Sequence, residues 1–291
     1  MLPRFEAAAV WDALGGGTVF MGVPTMYHRL LEALDAAPAE RRERWAASAR
    51  ALRLSTSGSA ALPVALAGRW AEVTGRPPLE RYGMTEIGMA TSNPLEGERR
   101  PGTVGTPLPG VELRCVAEGG GEAAPGEAGE IWVRGPSVFA GYVGRDEATR
   151  ASFADGWFRT GDVAVVEAGG YVRLLGRASV DILKSAGYKL SAVEIEEALR
   201  AHAAVDDAAV VGLPDEALGE RAVACVVARP GAAGPGLGAE LAAHCRARLA
   251  PYKVPRAFVV VAELPRNALG KVQKPELVRR LLAAPSPEEN P

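Results

Sequence analysis

Leu79-Glu80-Arg81-Tyr82-Gly83-Met84-Thr85-Glu86 reads as a short strand, Leu79 to Tyr82, that delivers a glycine, a hydroxyl and a carboxylate at its C-terminal end. Open α/β sheets hold their ligands at that end of their strands. Upstream, strand and helix alternate. The apolar run from Thr18 to Val23 reads as a strand stopped by Pro24, Thr25 can cap a helix through Leu34, and a charged helix covers Ala39 to Ala51. Leu52 to Thr56 then reads as a strand, Ser57-Gly58-Ser59-Ala60 as a loop, and Pro63 as a first-turn residue of a helix to about Val73. The expected class is α/β.

Beyond Pro101 the rhythm changes to short β-rich pieces at Val111 to Val116, Gly129 to Arg134 and Tyr171 to Leu175, parted by Gly and Pro turns. A second change follows Gly176-Arg177-Ala178-Ser179. There Ser191 and Glu194 form a capping-box pattern that opens a helix from Ala192 to His202. Strands are expected at Val205 to Leu213, Arg221 to Ala228 and Ala257 to Val261, with helices at Ala239 to Leu249 and Pro275 to Leu282. The expected organisation is an α/β part over 1–110 and a β-rich part over 111–176, followed by a small α+β domain over 177–283. The Pro- and Glu-containing tail, 284–291, is expected to be disordered.

Composition narrows the function. The 291 residues are 48% hydrophobic and 23% charged with a net charge of −2, which gives no sign of a nucleic-acid partner. No apolar run approaches the roughly 18 to 20 residues that a membrane span needs, and Met1-Leu2-Pro3-Arg4-Phe5-Glu6 lacks the order of a signal peptide, so a cytoplasmic location is the default. Cys115, Cys225 and Cys245 are far apart and read as free thiols, and His28, His202 and His244 show no ligand spacing. The glycine clusters at Gly15, Gly119 and Gly231 to Gly238 lack the Lys-Ser/Thr of a phosphate loop and read as turns or linkers.

Three further segments follow the first in order: Trp157-Phe158-Arg159-Thr160-Gly161-Asp162, Gly176-Arg177, and Pro265-Arg266-Asn267-Ala268-Leu269-Gly270-Lys271. Together the four resemble the AMP-forming acyl-CoA synthetases of the adenylate-forming superfamily. The resemblance implies an N-terminal lobe followed by a small lid, with ATP, Mg²⁺ and coenzyme A as the groups used. It also implies roles. Tyr82, beside Gly83, stacks on adenine, Thr85 bonds the α-phosphate, Glu86 helps hold Mg²⁺, and Asp162 and Arg177 reach the ribose. Residue by residue the plain alternatives are a core tyrosine, a solvated glutamate and a turn aspartate bonded to its own backbone.

In the resembled family Lys271 bridges the substrate carboxylate and the α-phosphate in the first step. The lid then swings about a hinge near Ser179 to present Lys184-Ser185-Ala186-Gly187-Tyr188-Lys189, where Gly187 lets the pantetheine thiol pass close to the backbone. Alone, Lys271 reads as a surface lysine and Gly187 as a turn glycine. The segment Ser57 to Pro63, which carries Gly58 and Ser59 as nucleotide-site candidates, resembles the malonyl-CoA synthetase branch, as do Met89 to Pro94, Gly97 to Gly105 and Ser179 to Lys184. That branch implies malonate or methylmalonate as the acid, with Arg99 pairing to its distal carboxylate. The alternatives are an Arg99 that balances Glu96 and Glu98, and a medium- or long-chain fatty acid as substrate. His28 is a candidate for the acyl pocket or a helix-surface residue.

The family's Ser/Thr/Gly-rich loop ending in Pro-Lys-Gly has no counterpart among these residues. The expectation is therefore the C-terminal part of such an enzyme, weak or inactive as a ligase by itself, or a remnant that only binds nucleotide or a partner. A separate N-terminal half, or a homo-oligomer, is the expected partner besides the small-molecule acid.

Overall fold

Four helices in the first part of the chain carry aromatic and leucine residues at helical spacing, and these meet in one cluster. They are α1 (Ala7–Leu14), α2 (Pro24–Asp35), α3 (Ala39–Arg50) and α4 (Val64–Thr74). Trp11 stacks on Trp45 at 5.8 Å and on Trp70 at 5.7 Å, and its indole donates to the Leu30 carbonyl at 2.7 Å. Pro24, whose ring fixes φ near the helical value, begins α2. Gly75, at φ 87°, ends α4 in the left-handed region that a side chain resists.

The computed structural model describes residues 5–267 and 270–283; Ala268, Leu269 and the expected disordered tail at 284–291 lie outside them. The chain divides into two compact units, the first comprising 1–160 with 164–174 and the second 161–163 with 175–291.

In the first unit the helices cover a sheet whose strands run β1 (Val19–Gly22), β2 (Leu54–Ser57), β3 (Leu79–Met84), β4 (Gly88–Ser92) and β5 (Thr106–Pro107), in that spatial order. The first three are parallel and the last two antiparallel. A second sheet has the order β10 (Val172–Arg177), β9 (Trp157–Val166), β7 (Ala128–Arg134), β6 (Glu112–Val116), with β8 (Phe153–Ala154) on β9 and the short helix α5 (Asp146–Ala151) before it. Strand β7 alternates as period two requires: Ile131 and Val133 point into a core with Tyr82, Ile87 and Phe158, while Trp132 and Arg134 face out.

The second unit is built on an antiparallel sheet, β12 (Tyr188–Ser191), β11 (Ile182–Ser185), β14 (Gly219–Ala228), β13 (Val205–Asp215), with β15 (Ala257–Val260) parallel to β14. Its two faces bury different sets. Val210, Ala224 and Leu183 pack under α6 (Ala192–Arg200) and α7 (Leu237–Arg246), whereas Val211, Leu213 and Val223 pack under α8 (Lys274–Ala283). The class is α/β throughout the first unit's helix-covered sheet and α+β in the second.

Three local expectations are corrected. Strand β3 continues through Met84 and turns at once into the antiparallel β4, so Thr85 and Glu86 sit in a hairpin turn. Pro63 precedes α4 as its cap instead of lying in its first turn. Asp162 lies inside the ten-residue strand β9, where Gly161 at φ 73° kinks the backbone without ending the strand.

Candidate active site

The first group of site residues lies where β2 and β3 end side by side. Ser57 pairs with Glu80 in the parallel ladder, so the next residues, Gly58 and Arg81, are neighbours across it. The guanidinium of Arg81 lies against Gly58: a Cβ added there would stand 1.9 Å from Nη1 of Arg81, so any side chain at this position would displace the guanidinium. Among the described residues no hydrogen bond or ion pair holds that guanidinium. Ser59 follows at φ 69°, a left-handed conformation costly for a non-glycine residue and typical of a ligand-facing loop. Three hydroxyls close by in the ladders, those of Thr56, Ser57 and Thr91, are buried with no hydrogen-bond partner among the described residues. Thr91 is the direct cross-strand partner of Tyr82.

Tyr82 is 9% exposed and belongs to the core cluster with Ile87 and Phe158. Gly83 follows within β3, Thr85 is exposed in the turn, and Glu86 is half-buried, its carboxylate accepting from the Tyr142 hydroxyl at 3.1 Å. Arg99 is committed elsewhere. Only 8% exposed, it donates to the carbonyls of Pro77 at 2.9 Å, Leu95 at 3.2 Å and Pro94 at 3.4 Å. Burial, with Arg76 nearby, holds its pKa below the ordinary arginine value. The expectation that Arg99 offers a free fork to a carboxylate fits this geometry poorly. His28 pairs with Glu32 one turn along α2 at 3.4 Å, on the helix surface.

The second group belongs to the second unit. Asp162 and Arg177, far apart in sequence, are brought together: Nη1 of Arg177 lies 3.0 Å from Oδ1 of Asp162, and Ala178 N–H donates to the Gly161 carbonyl at 2.9 Å. Lys271 is exposed at the end of a tight hairpin. Asn267 N–H donates to the Lys271 carbonyl at 2.9 Å, Lys271 N–H donates to the Asn267 side chain at 3.0 Å, and Arg266 bridges to Val272. Among the described residues nothing pairs with its ammonium. Gly187 occupies the turn between β11 and β12 at φ 82°.

Two family models match this chain, described as AMP-binding enzyme over residues 2–143 and AMP-binding enzyme C-terminal domain over residues 194–271. The chain belongs to the AMP-binding enzymes. Among curated relatives, the mitochondrial malonate–CoA ligase of Mus musculus is 46% identical over 310 residues, covering 97% of this chain and 52% of that protein. The long-chain-fatty-acid–CoA ligase of Bacillus subtilis is 39% identical over 286 residues, covering 97% of this chain and 48% of that protein. Among solved structures, ATP-bound MatB from Rhodopseudomonas palustris matches with a TM-score of 0.86 at 39% identity, over 97% of this chain and 54% of that one. The chain thus spans about half the length of the relatives it matches.

Two features of this AMP-binding enzyme are not legible in its motifs. Arg81 stands in a motif whose signal lies in its neighbours, and the strand register that sets it beside Gly58 is not visible in one dimension. The other is an aromatic pair. Tyr188, next to Gly187, stacks on Tyr252 at 4.4 Å and 17°, and both rings are exposed. An exposed aromatic beside a turn glycine is the signal that was available. Among the described residues no helix is long and apolar enough to cross a membrane.

Proposed function

We propose that this chain carries the nucleotide-binding and lysine-bearing parts of an ATP-dependent acid–CoA ligase whose acid is malonate or methylmalonate. In the first half-reaction a carboxylate oxygen of the acid attacks the α-phosphorus of ATP and pyrophosphate leaves, giving acyl-AMP. In the second, the thiol sulfur of coenzyme A, having lost its proton, attacks the acyl carbon and AMP leaves.

One observation carries the reading of the acid. The Arg81 guanidinium, unpaired among the described residues, lies against Gly58, one residue before Tyr82 and four before Thr85. A guanidinium offers two parallel donors to a carboxylate, which a fatty acid's far end lacks. We therefore assign the distal carboxylate to Arg81 in place of Arg99. The buried, unpartnered hydroxyls of Ser57 and Thr91 favour a polar occupant nearby.

Thr85, exposed in its turn, donates to the α-phosphate, and Glu86 with its half-buried carboxylate suits a magnesium ion, which when bound would offset phosphate charge. Tyr82, mostly buried, offers adenine only the part of its ring left at the surface. Asp162 accepts from the ribose hydroxyls while Arg177 orients it. The Lys271 ammonium, unpaired among the described residues, stabilises the charge that gathers on the reacting carboxylate and phosphate oxygens. The pantetheine arm passes Gly187, and the Tyr188–Tyr252 pair offers its adenine a flat apolar face.

The test is pyrophosphate exchange with malonate, octanoate and no acid, on the chain alone and on the chain produced together with the N-terminal half of a relative. Malonate-dependent exchange that Arg81→Leu removes supports the reading. Exchange with octanoate that ignores Arg81 overturns the malonate assignment in favour of a fatty acid.

A further inference from the structure

Lys274 is a buried lysine that the reaction does not use. Only 8% exposed, its ammonium lies 2.5 Å from Oδ1 of Asp181 and 2.7 Å from Oε1 of Glu196. Burial alone would lower its pKa, but Glu196 and Asp181 outweigh burial and hold it above the ordinary lysine value. A methionine of similar length would fill the same space, and buried ion pairs are often replaceable by apolar residues without loss of stability. What an ammonium adds is direction.

The two carboxylates lead to both halves of the second unit's site. The other oxygen of Asp181 accepts from the Arg177 N–H at 2.9 Å, so Asp181 fixes the backbone of the residue that pairs with Asp162. Gly176 makes room for it: a Cβ there would stand 2.4 Å from that of Asp181. Glu196 receives the Val210 N–H at 2.9 Å and lies 3.5 Å from Arg200. Arg200 pairs with Asp207 at 3.2 Å, Asp207 pairs with Arg266, and Arg266 donates to the Gly270 carbonyl at 2.5 Å. The Lys271 hairpin is thus tied to Glu196 twice, through Arg266 before it and Lys274 after it.

We propose that Lys274 is a positioning residue: bridging Asp181 and Glu196, it sets the Lys271 hairpin at a fixed distance and angle from the Asp162–Arg177 pair. The inference rests on the adenylating roles given to those residues. It requires that loss of the Lys274 charge loosen the hairpin and the Arg177 amide together while the sheet stays intact.

NMR-detected hydrogen exchange on the full chain tests this without any substrate. Lys274→Met is expected to speed exchange at the Asn267 and Gly270 amides and at the Arg177 amide by about tenfold or more, with β13 and β14 unchanged. Lys274→Arg, which keeps the charge, is expected to restore most of the protection. Unchanged hairpin amides in Lys274→Met, or protection lost evenly through β13 and β14 in both variants, would overturn the proposal. In a preparation that forms adenylate, Lys274→Met should slow that half-reaction and spare thioester formation from presynthesised malonyl-adenylate; equal slowing of both also overturns it. A wild-type protein that forms no adenylate counts against the ligase reading alone, since the exchange measurement stands apart from it.

Discussion

On the ligase reading proposed above, a single guanidinium, that of Arg81, decides between acids. A carboxylate bound by two charge-assisted hydrogen bonds gains about 1.5 to 3 kcal/mol from each, so Arg81→Leu is expected to lower kcat/KM for malonate by roughly a hundredfold or more, leaving any octanoate activity in place. Gly58→Ala tests the same contact from the other side. Its methyl would overlap Nη1 of Arg81, so the guanidinium must move, and malonate use should fall without Arg81 being touched. Arg99→Leu should behave differently. It leaves the carbonyls of Pro77, Pro94 and Leu95 without their donor in a buried place, at about 1 to 3 kcal/mol for an unsatisfied group, so the loss should appear in the melting temperature and leave acid preference alone. Sequence could name arginine as the residue type for a second carboxylate, but not which arginine. Arg99 and Arg81 look alike until the parallel register of β2 and β3 sets one against Gly58 and the loop after β4 folds the other inward.

At the scale of elements, the Lys271 hairpin is the part most open to kinetic test. Lys271→Ala should reduce adenylate formation by about a hundredfold or more, as removal of one charge-stabilising donor does elsewhere, and spare thioester formation from preformed adenylate; single-turnover assays of each half-reaction check it. The α6–α7 contact carries a pH dependence. His244 approaches the Ala198 carbonyl at 2.9 Å and meets His202 edge-on at 4.8 Å. Burial holds its pKa below the ordinary histidine value, the backbone hydrogen bond opposing this and Arg248 and His202 adding to it. The unfolded chain therefore binds the proton more readily. This contribution is whole above about pH 6.5 and fades as pH falls through the lower folded value, so His244→Gln should flatten the loss of thermal stability between about pH 7 and 5. Helix α6 was legible because its cap is local: the Ser191 hydroxyl accepts from the Glu194 N–H at 3.1 Å. Strands β4 and β9 were not. Gly88 at φ 61° and Gly161 at φ 73° carry the residue signature of turns, yet ladder partners outside their own segments keep both strands running.

For the molecule as a whole, the α/β class was readable because apolar runs and helix starts alternate before Thr85, and no single residue carries that signal. The mixed character of the first sheet was not, since a switch from parallel to antiparallel depends on which strand returns beside β3. That sheet has a consequence in solution. Strand β1 stands at the end of its order, and Val19 is 37% and Met21 67% exposed upon it. An edge strand offers unpaired N–H and carbonyl groups to another chain, and apolar side chains beside it strengthen the contact. The chain alone should therefore self-associate reversibly as its concentration rises. Met21→Lys adds a charge that resists such pairing and should shift sedimentation velocity profiles toward the monomer, with the unfolding free energy within about 1 kcal/mol of the parent's because the site is exposed. A parent chain that sediments as a monomer at high concentration, or a variant that associates as strongly as the parent, would place the docking surface elsewhere.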